Sequence, residues 1–259
     1  MRALVVGACG GIGSAVCAAL AEAGDEVVAA DSPRSTVAAD HPRHVLADLA
    51  EHGAARAAVR EAWQWYGPLD ALLHVAGLYP ARRALDGDEE LFDTVMAVNT
   101  RSALMAATAL AEMCERHGRG AAVVFTSSGG ALRPRPGTTV YAASKAALEA
   151  VTRGLALEFA PLGMRVNAVA PGFVDVGSPL NPVPDEYVRA VGAAGPAGRV
   201  GTPQDIVPAL LWLCSPESAW VNGHVLAADG GAGLGSLTAP SWLPSGSLRE
   251  TRAGGSGGG

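Results

Sequence analysis

Charge is scarce in this chain, and basic charge scarcer still. Only 17% of its 259 residues are charged, 19 Lys and Arg stand against 25 Asp and Glu, and the formal net charge is -6. No run of Lys or Arg is present to neutralise phosphates or anionic headgroups, so neither nucleic acid nor a membrane surface is expected as a partner. Cysteine is sparse as well. Cys9, Cys17, Cys114 and Cys214 are scattered with no CxxC among them, which argues against a zinc site and suits the buried thiols of a reducing cytosol better than a disulfide framework. Cys9 precedes an expected helix and could be reactive there, although core or loop packing is the favoured reading. Long apolar runs are also missing, since no segment stays apolar for the roughly 18 residues that a membrane helix requires. The opening "MRALVVGACGG" has one Arg and a short apolar stretch, but it leads into glycines that suit a folded loop, so a strand is expected there and not a signal peptide. These absences together suggest a cytoplasmic protein.

Apolar residues are plentiful, at 49%, enough for one sizeable core. Short runs rich in Val and Leu alternate with longer helix-like segments, the pattern of a parallel sheet covered on both faces. Strands are expected near 2–6, 26–31, 43–47, 70–75, 121–126, 164–170 and 224–228. Helices are expected at 12–23, 53–66, 89–117 (with a possible break), 141–160 and 203–214. Right-handed crossovers would wind these into an α/β fold, a doubly wound Rossmann-type parallel sheet of about seven strands that binds ligands beyond its carboxyl ends. One domain is expected over 1–231. Within it, residues 173–200 carry four prolines and several glycines and read as a lid or substrate loop. From 232 to 259 the chain turns to Gly, Ser and Pro, as a flexible tail would.

The stretch "ALVVGACGGIGSAV" takes the first strand into the first helix through Gly7, Gly11 and Gly13. Without Cβ atoms, backbone N–H groups at a helix N-terminus can approach a pyrophosphate. The second strand ends in Asp31, placed to accept hydrogen bonds from an adenosine ribose. Asp48, in "LADLAE", would sit by the adenine or cap the following helix.

The stretch "VYAASKAAL" puts Tyr141 and Lys145 one helical turn apart on one face. In isolation that spacing is usually a solvated helix face. It gains meaning from the order of other motifs: the three loop glycines, "ADL" at 47–49, "VAG" at 75–77, Asn99 in "MAVNT", and Ser128 in "FTSSGG". After the pair come "RVNAVAPGFV" at 165–174, "GRVGTPQDI" at 198–206 and "DGG" at 229–231. In this combination the chain, from about 2 to 231, resembles the short-chain dehydrogenase/reductase superfamily in its compact single-domain form.

The resemblance implies a catalytic set of Asn99, Ser128, Tyr141 and Lys145. Tyr141 would exchange a proton with the substrate oxygen. Lys145 would hold the nicotinamide ribose and favour the tyrosinate, because a free tyrosine ionises only near pH 10. Ser128 would hydrogen-bond the substrate oxygen, and Asn99 would hold a water linking Lys145 to solvent. The dinucleotide would lie along Gly7, Gly11, Ile12, Gly13, Asp31, Asp48, Leu49, Ala76, Gly77, Pro171, Gly172 and Val174, besides Tyr141 and Lys145. No metal is implied. Asp31, with no basic residue at Cys9, Gly10 or Ser32, points to NAD(H) in preference to NADP(H), with Arg34 the one nearby cation.

Four departures from the family pattern stand out. Val6 replaces a Thr, and His74 and Val75 replace the two Asn of "NNAG". His74 is expected to be a satisfied core histidine, or else to titrate near the cofactor. Val176 stands where a Thr hydroxyl would bond the nicotinamide amide, a role Ser178 could take over. The expected substrate is a small-molecule secondary alcohol or ketone. Leu78, Tyr79, Phe173 and Leu180 would wall its pocket, and on the same side Arg82, Arg83, Arg133 and Arg135 would either meet a carboxylate or stand as solvated surface arginines. The alternatives are an NADPH ketoreductase acting on a carrier-bound acyl chain and a catalytically silent dinucleotide-binding regulator. By the same resemblance, 89–117 and 141–160 would pair copies into a homodimer or homotetramer.

Overall fold

The fold is that of a computed structural model, which describes residues 1–33, 43–177 and 183–235. Seven strands form one parallel sheet: β1 (Arg2–Val6), β2 (Glu26–Asp31), β3 (His44–Leu46), β4 (Ala71–His74), β5 (Ala122–Thr126), β6 (Arg165–Pro171) and β7 (Val225–Ala228). Their order is β3-β2-β1-β4-β5-β6-β7. The chain therefore winds outward from β1 in one direction, returns, and winds outward from β4 in the other. The carboxyl ends of β1 and β4 flank that reversal, where open α/β sheets leave a crevice.

Both faces of the sheet are apolar, as strands covered on two sides must be. On one face Leu4, Val6, Leu72, Phe125 and Val166 meet α2 (Ala54–Tyr66), α4 (Ser102–His117) and α5 (Thr139–Glu158). On the other, Val5, Leu73, Val124 and Val169 meet α1 (Gly11–Glu22) and α7 (Pro203–Cys214). The period-two alternation along each strand assigns neighbouring residues to opposite cores. Alanines at 103, 106, 107, 109 and 111 bring α4 close to the sheet, with Leu110 wholly buried among them. Truncating such a leucine costs about 2–5 kcal/mol.

Two elements differ from the sequence expectation. The long helix 89–117 divides into α3 (Glu89–Met96), a π-helical segment (Ala97–Arg101) and α4. Within the expected loop 173–200 lies a further helix, α6 (Asp185–Ala194). Pro184 fixes its entry, Asp185 and Glu186 sit at its positive end, and Gly192 lets it approach the backbone of Arg199 and Val200, where a Cβ would meet atoms at 3.1–3.2 Å. Among the described residues no helix is long and apolar enough to cross a membrane.

Candidate active site

Three strand ends build the site. Gly7 follows β1 in the left-handed region, φ +89°, and an added Cβ there would lie 2.5 Å from the Ala76 nitrogen after β4. Gly13 is tighter still, with an added Cβ 2.0 Å from the Gly7 carbonyl oxygen. These two glycines serve the close packing of loop, helix and strand. At the start of α1 no side chain caps the helix and no acidic residue occupies the first turn, which leaves the N–H groups of Gly11, Ile12 and Gly13 for an anion. Asp31, at the end of β2, accepts the Cys9 N–H at 2.7 Å and the Ser32 N–H at 2.7 Å. Each carboxylate oxygen keeps a further lone pair. Asp48 accepts the Ala50 N–H in a turn, whereas α2 begins from Gly53, so the capping alternative does not hold. Leu49, Ala76, Gly77, Pro171, Gly172 and Val174 line the same cleft.

Ser128 lies two residues beyond β5 and Tyr141 in the first turn of α5. They converge on Gly130, whose added Cβ would sit 3.2 Å from Ser128 Oγ and 3.5 Å from Tyr141 Cε1. Burial pushes the Tyr141 phenol above its ordinary value, and the Ser128 hydroxyl pulls the other way. Lys145 is the one lysine in the chain. It is buried, its Nζ donates to the Thr126 carbonyl oxygen at 2.7 Å and lies 5.8 Å from the Tyr141 ring centroid, and burial lowers it to about 8. The ammonium is thus anchored to β5 beside the phenol.

Asn99 is fully buried in the π-helical segment. Its Nδ2 donates to the Leu78 carbonyl and to Ser144 Oγ, both at 2.9 Å, and its Oδ1 accepts the Leu78 N–H at 2.7 Å. Both amide hydrogens are therefore spent on bracing the β4 loop against α5. Gly77 lets this brace and Lys145 come together, since an added Cβ would be 3.3 Å from Lys145 Nζ and 3.5 Å from Asn99 Oδ1.

His74 is half satisfied. Its Nε2 lies 2.8 Å from Ser102 Oγ, and Ser102 donates onward to the Val98 carbonyl at 2.6 Å, so Nε2 carries the proton. Nδ1 is buried with no partner among the described residues. Burial, and then the charge of Lys145, lower His74 to about 3. The sequence marked His74 as core but gave no sign of its link to the π-helical segment. Val176 rests on the open side of Gly11, with its Cβ 2.8 Å from where a Cβ would stand. Arg34, Ser178 and Leu180 lie outside the described residues. Tyr79 packs edge-on to Tyr141, with centroids 4.6 Å apart.

A family model described as enoyl-(acyl carrier protein) reductase matches residues 7–233. The chain belongs to the short-chain dehydrogenase/reductase superfamily. Members of this superfamily are oxidoreductases of alcohol and carbonyl groups that bind a nicotinamide dinucleotide, and the cleft fits one: free helix N–H groups for its phosphates, a carboxylate at the end of β2, and a buried lysine. The chain is 34% identical over 249 residues to the short-chain reductase protein NovJ of Streptomyces niveus, covering 88% of this chain and 92% of that one. It is 35% identical over 239 residues to a galactitol 2-dehydrogenase (L-tagatose-forming) of Cereibacter sphaeroides, covering 88% and 93%. Among solved structures, acetoin dehydrogenase YohF from Salmonella typhimurium superposes with a TM-score of 0.81 at 25% identity, over 92% of this chain and 97% of that one. The likeness of this short-chain dehydrogenase/reductase to those proteins thus runs along most of the chain and not over an isolated motif.

Proposed function

We propose that this chain transfers hydride between NAD(H) and a small-molecule secondary alcohol or ketone. The observation that carries the reading is the meeting of Tyr141 and Ser128 around Gly130, with Lys145 anchored beside them at the end of β5. The nicotinamide, when bound, supplies or accepts the hydride. The Tyr141 hydroxyl gives the substrate oxygen a proton in reduction and takes one back in oxidation. Ser128 donates a hydrogen bond to that oxygen and fixes its position before the proton moves. The Lys145 charge opposes the cost of forming a buried tyrosinate. Asn99 acts as a positioning residue, bracing Leu78 against Ser144, the neighbour of the lysine in the chain.

The preference for NAD rests on Asp31. Two backbone N–H groups hold its carboxylate at the end of β2, where the ribose hydroxyls of NAD would find an acceptor. A 2′-phosphate there would meet like-charge repulsion of roughly 1–4 kcal/mol at a few Å. A panel of secondary alcohols and ketones, each assayed with both cofactors, tests this reading. Turnover of some members with a higher kcat/KM for NAD, and a weakened preference in Asp31→Ala, is expected. No turnover of any member would sink the activity, and equal use of NADP by the wild type would sink the cofactor assignment.

The same proposal includes a reducing cytoplasm, supported by the buried thiols of Cys17, Cys114 and Cys214, and a homodimer or homotetramer. In support of pairing, Gly154 on α5 meets nothing within 4 Å and Leu157 is 80% exposed, although glycine inside a helix costs about 1 kcal/mol. Sedimentation of the free chain tests it, and a monomer would contradict it.

A further inference from the structure

Aromatic side chains are only 5% of this chain, yet they are not spread evenly. Three of its four tyrosines, Tyr79, Tyr141 and Tyr187, gather with Phe173 at the mouth of the cleft. Into this cluster comes one guanidinium. Arg135 Nη1 donates to Tyr187 Oη at 2.7 Å, and its Cζ stands 6.0 Å from the Phe173 ring centroid. Its charge also reaches Tyr79, which packs against Tyr141. The backbone of Arg135 is pinned by the buried Thr138, which accepts the Arg135 N–H at 3.0 Å and donates to its carbonyl at 2.8 Å. Thr138 begins the helix that carries Tyr141, so cation and phenol share one rigid support.

Of the other arginines expected on this side, two lie against carboxylates and the third on a backbone carbonyl. Arg83 pairs with Asp86, Arg82 approaches Asp88 at 3.7 Å, and Arg133 donates to the Ala232 carbonyl. Arg135 is held by a neutral hydroxyl and forms no ion pair among the described residues. A guanidinium has five N–H donors, and the tyrosine takes one.

We propose that Arg135 forms a carboxylate-binding subsite, and that the substrate of this oxidoreductase is a keto or hydroxy acid whose carboxylate lies away from the reacting carbon. The inference rests on the oxidoreductase reading above and deepens it. A single planar guanidinium matches a carboxylate bidentately. Asp175 and Asp185 line the same cleft and repel any anion there, a phosphate more strongly than a carboxylate. The apolar part of the acid would lie against Tyr79 and Phe173.

Levulinate and para-acetylbenzoate, each beside its methyl ester, are the probes, with NADH as reductant. In the wild type the acid of at least one pair should exceed its ester in kcat/KM by about tenfold or more, the weight of a charge-assisted hydrogen bond. Arg135→Met should bring that ratio close to one, chiefly through KM, and Arg135→Lys should restore part of it. Added salt should raise KM for the acid and leave the ester little changed. Esters used as well as acids by the wild type, or a ratio that survives in Arg135→Met, would overturn the subsite. So would turnover of neutral ketones with none of either acid. Loss of all turnover, neutral ketones included, would instead remove the oxidoreductase reading on which the subsite rests.

Discussion

At the scale of single residues, Lys145 concentrates most of the chemistry. It is the chain's one lysine and sits buried beside Tyr141 with its ammonium on the Thr126 carbonyl. Its lowered value, about 8, follows from burial. The charge is therefore present below about pH 8 and lost above it, well before a free lysine near 10.4 would lose its own. Because the only other amine of the chain is that of Met1, reductive methylation with isotope-labelled methyl groups gives two resonances. One of them is expected to titrate close to pH 8 and to shift when NADH is added. A lysine resonance titrating like a free amine would contradict the buried placement. That Tyr141 and Lys145 share a helix face was legible in the sequence because helical spacing is a local property, and Ser128 entered through the order of motifs along the chain. The partners of Arg82, Arg83 and Arg133 were not legible, because they depend on the local turns around Asp86 and Asp88 and on the approach of the distant Ala232 carbonyl. Asn99 shows the same limit: its place was legible, but the full use of its amide by Leu78 and Ser144 depends on the contact of two distant segments.

At the scale of elements, the π-helical segment 97–101 interrupts a regular helix and is tied to its surroundings by side-chain hydrogen bonds. A wider turn displaces backbone carbonyls from their usual partners. The Val98 carbonyl takes the Ser102 hydroxyl, and Ser102 takes the His74 Nε2–H from β4. The imidazole is held neutral by its burial and by the charge of Lys145, while the proton it would gain belongs on Nδ1, which is buried with no partner among the described residues. The folded value near 3 lies below the unfolded value near 6.5. Between those limits the unfolded chain binds the proton more readily, so the stabilisation is complete above about pH 6.5 and falls with acidification by roughly 1.4 kcal/mol per unit. Urea unfolding of wild type and His74→Asn at pH 7.5 and pH 5 checks this. The gap between the two should narrow at the lower pH, whereas parallel changes would show that His74 is not held neutral. The irregular turn was foreshadowed only as a break in 89–117. Helix α6 was missed because the prolines and glycines around it outweighed a ten-residue amphipathic stretch whose start depends on Pro184.

At the scale of the whole molecule, the alternation of apolar runs with helical segments was enough to anticipate seven parallel strands, because each strand is buried on both faces and must read as apolar throughout. The winding rules anticipated a doubly wound sheet with its cleft beyond the carboxyl ends of the strands, whereas the strand order and the reversal between β1 and β4 come from the fold itself. What the fold adds is convergence. Residues from 7 to 234 line one cleft, and its two ends differ in character: helix N–H groups and a carboxylate at one, a tyrosine-rich mouth with Arg135 at the other.

The central claim is that the Tyr141 hydroxyl moves the substrate proton. It is tested most directly by measuring, in Tyr141→Phe, both NADH affinity and single-turnover reduction of a ketone that the wild type accepts. The substitution keeps the ring that packs on Tyr79 and removes one oxygen. NADH should bind within about twofold of the wild type while reduction slows by about 100-fold or more. Reduction at a near-normal rate with NADH binding intact would contradict the account.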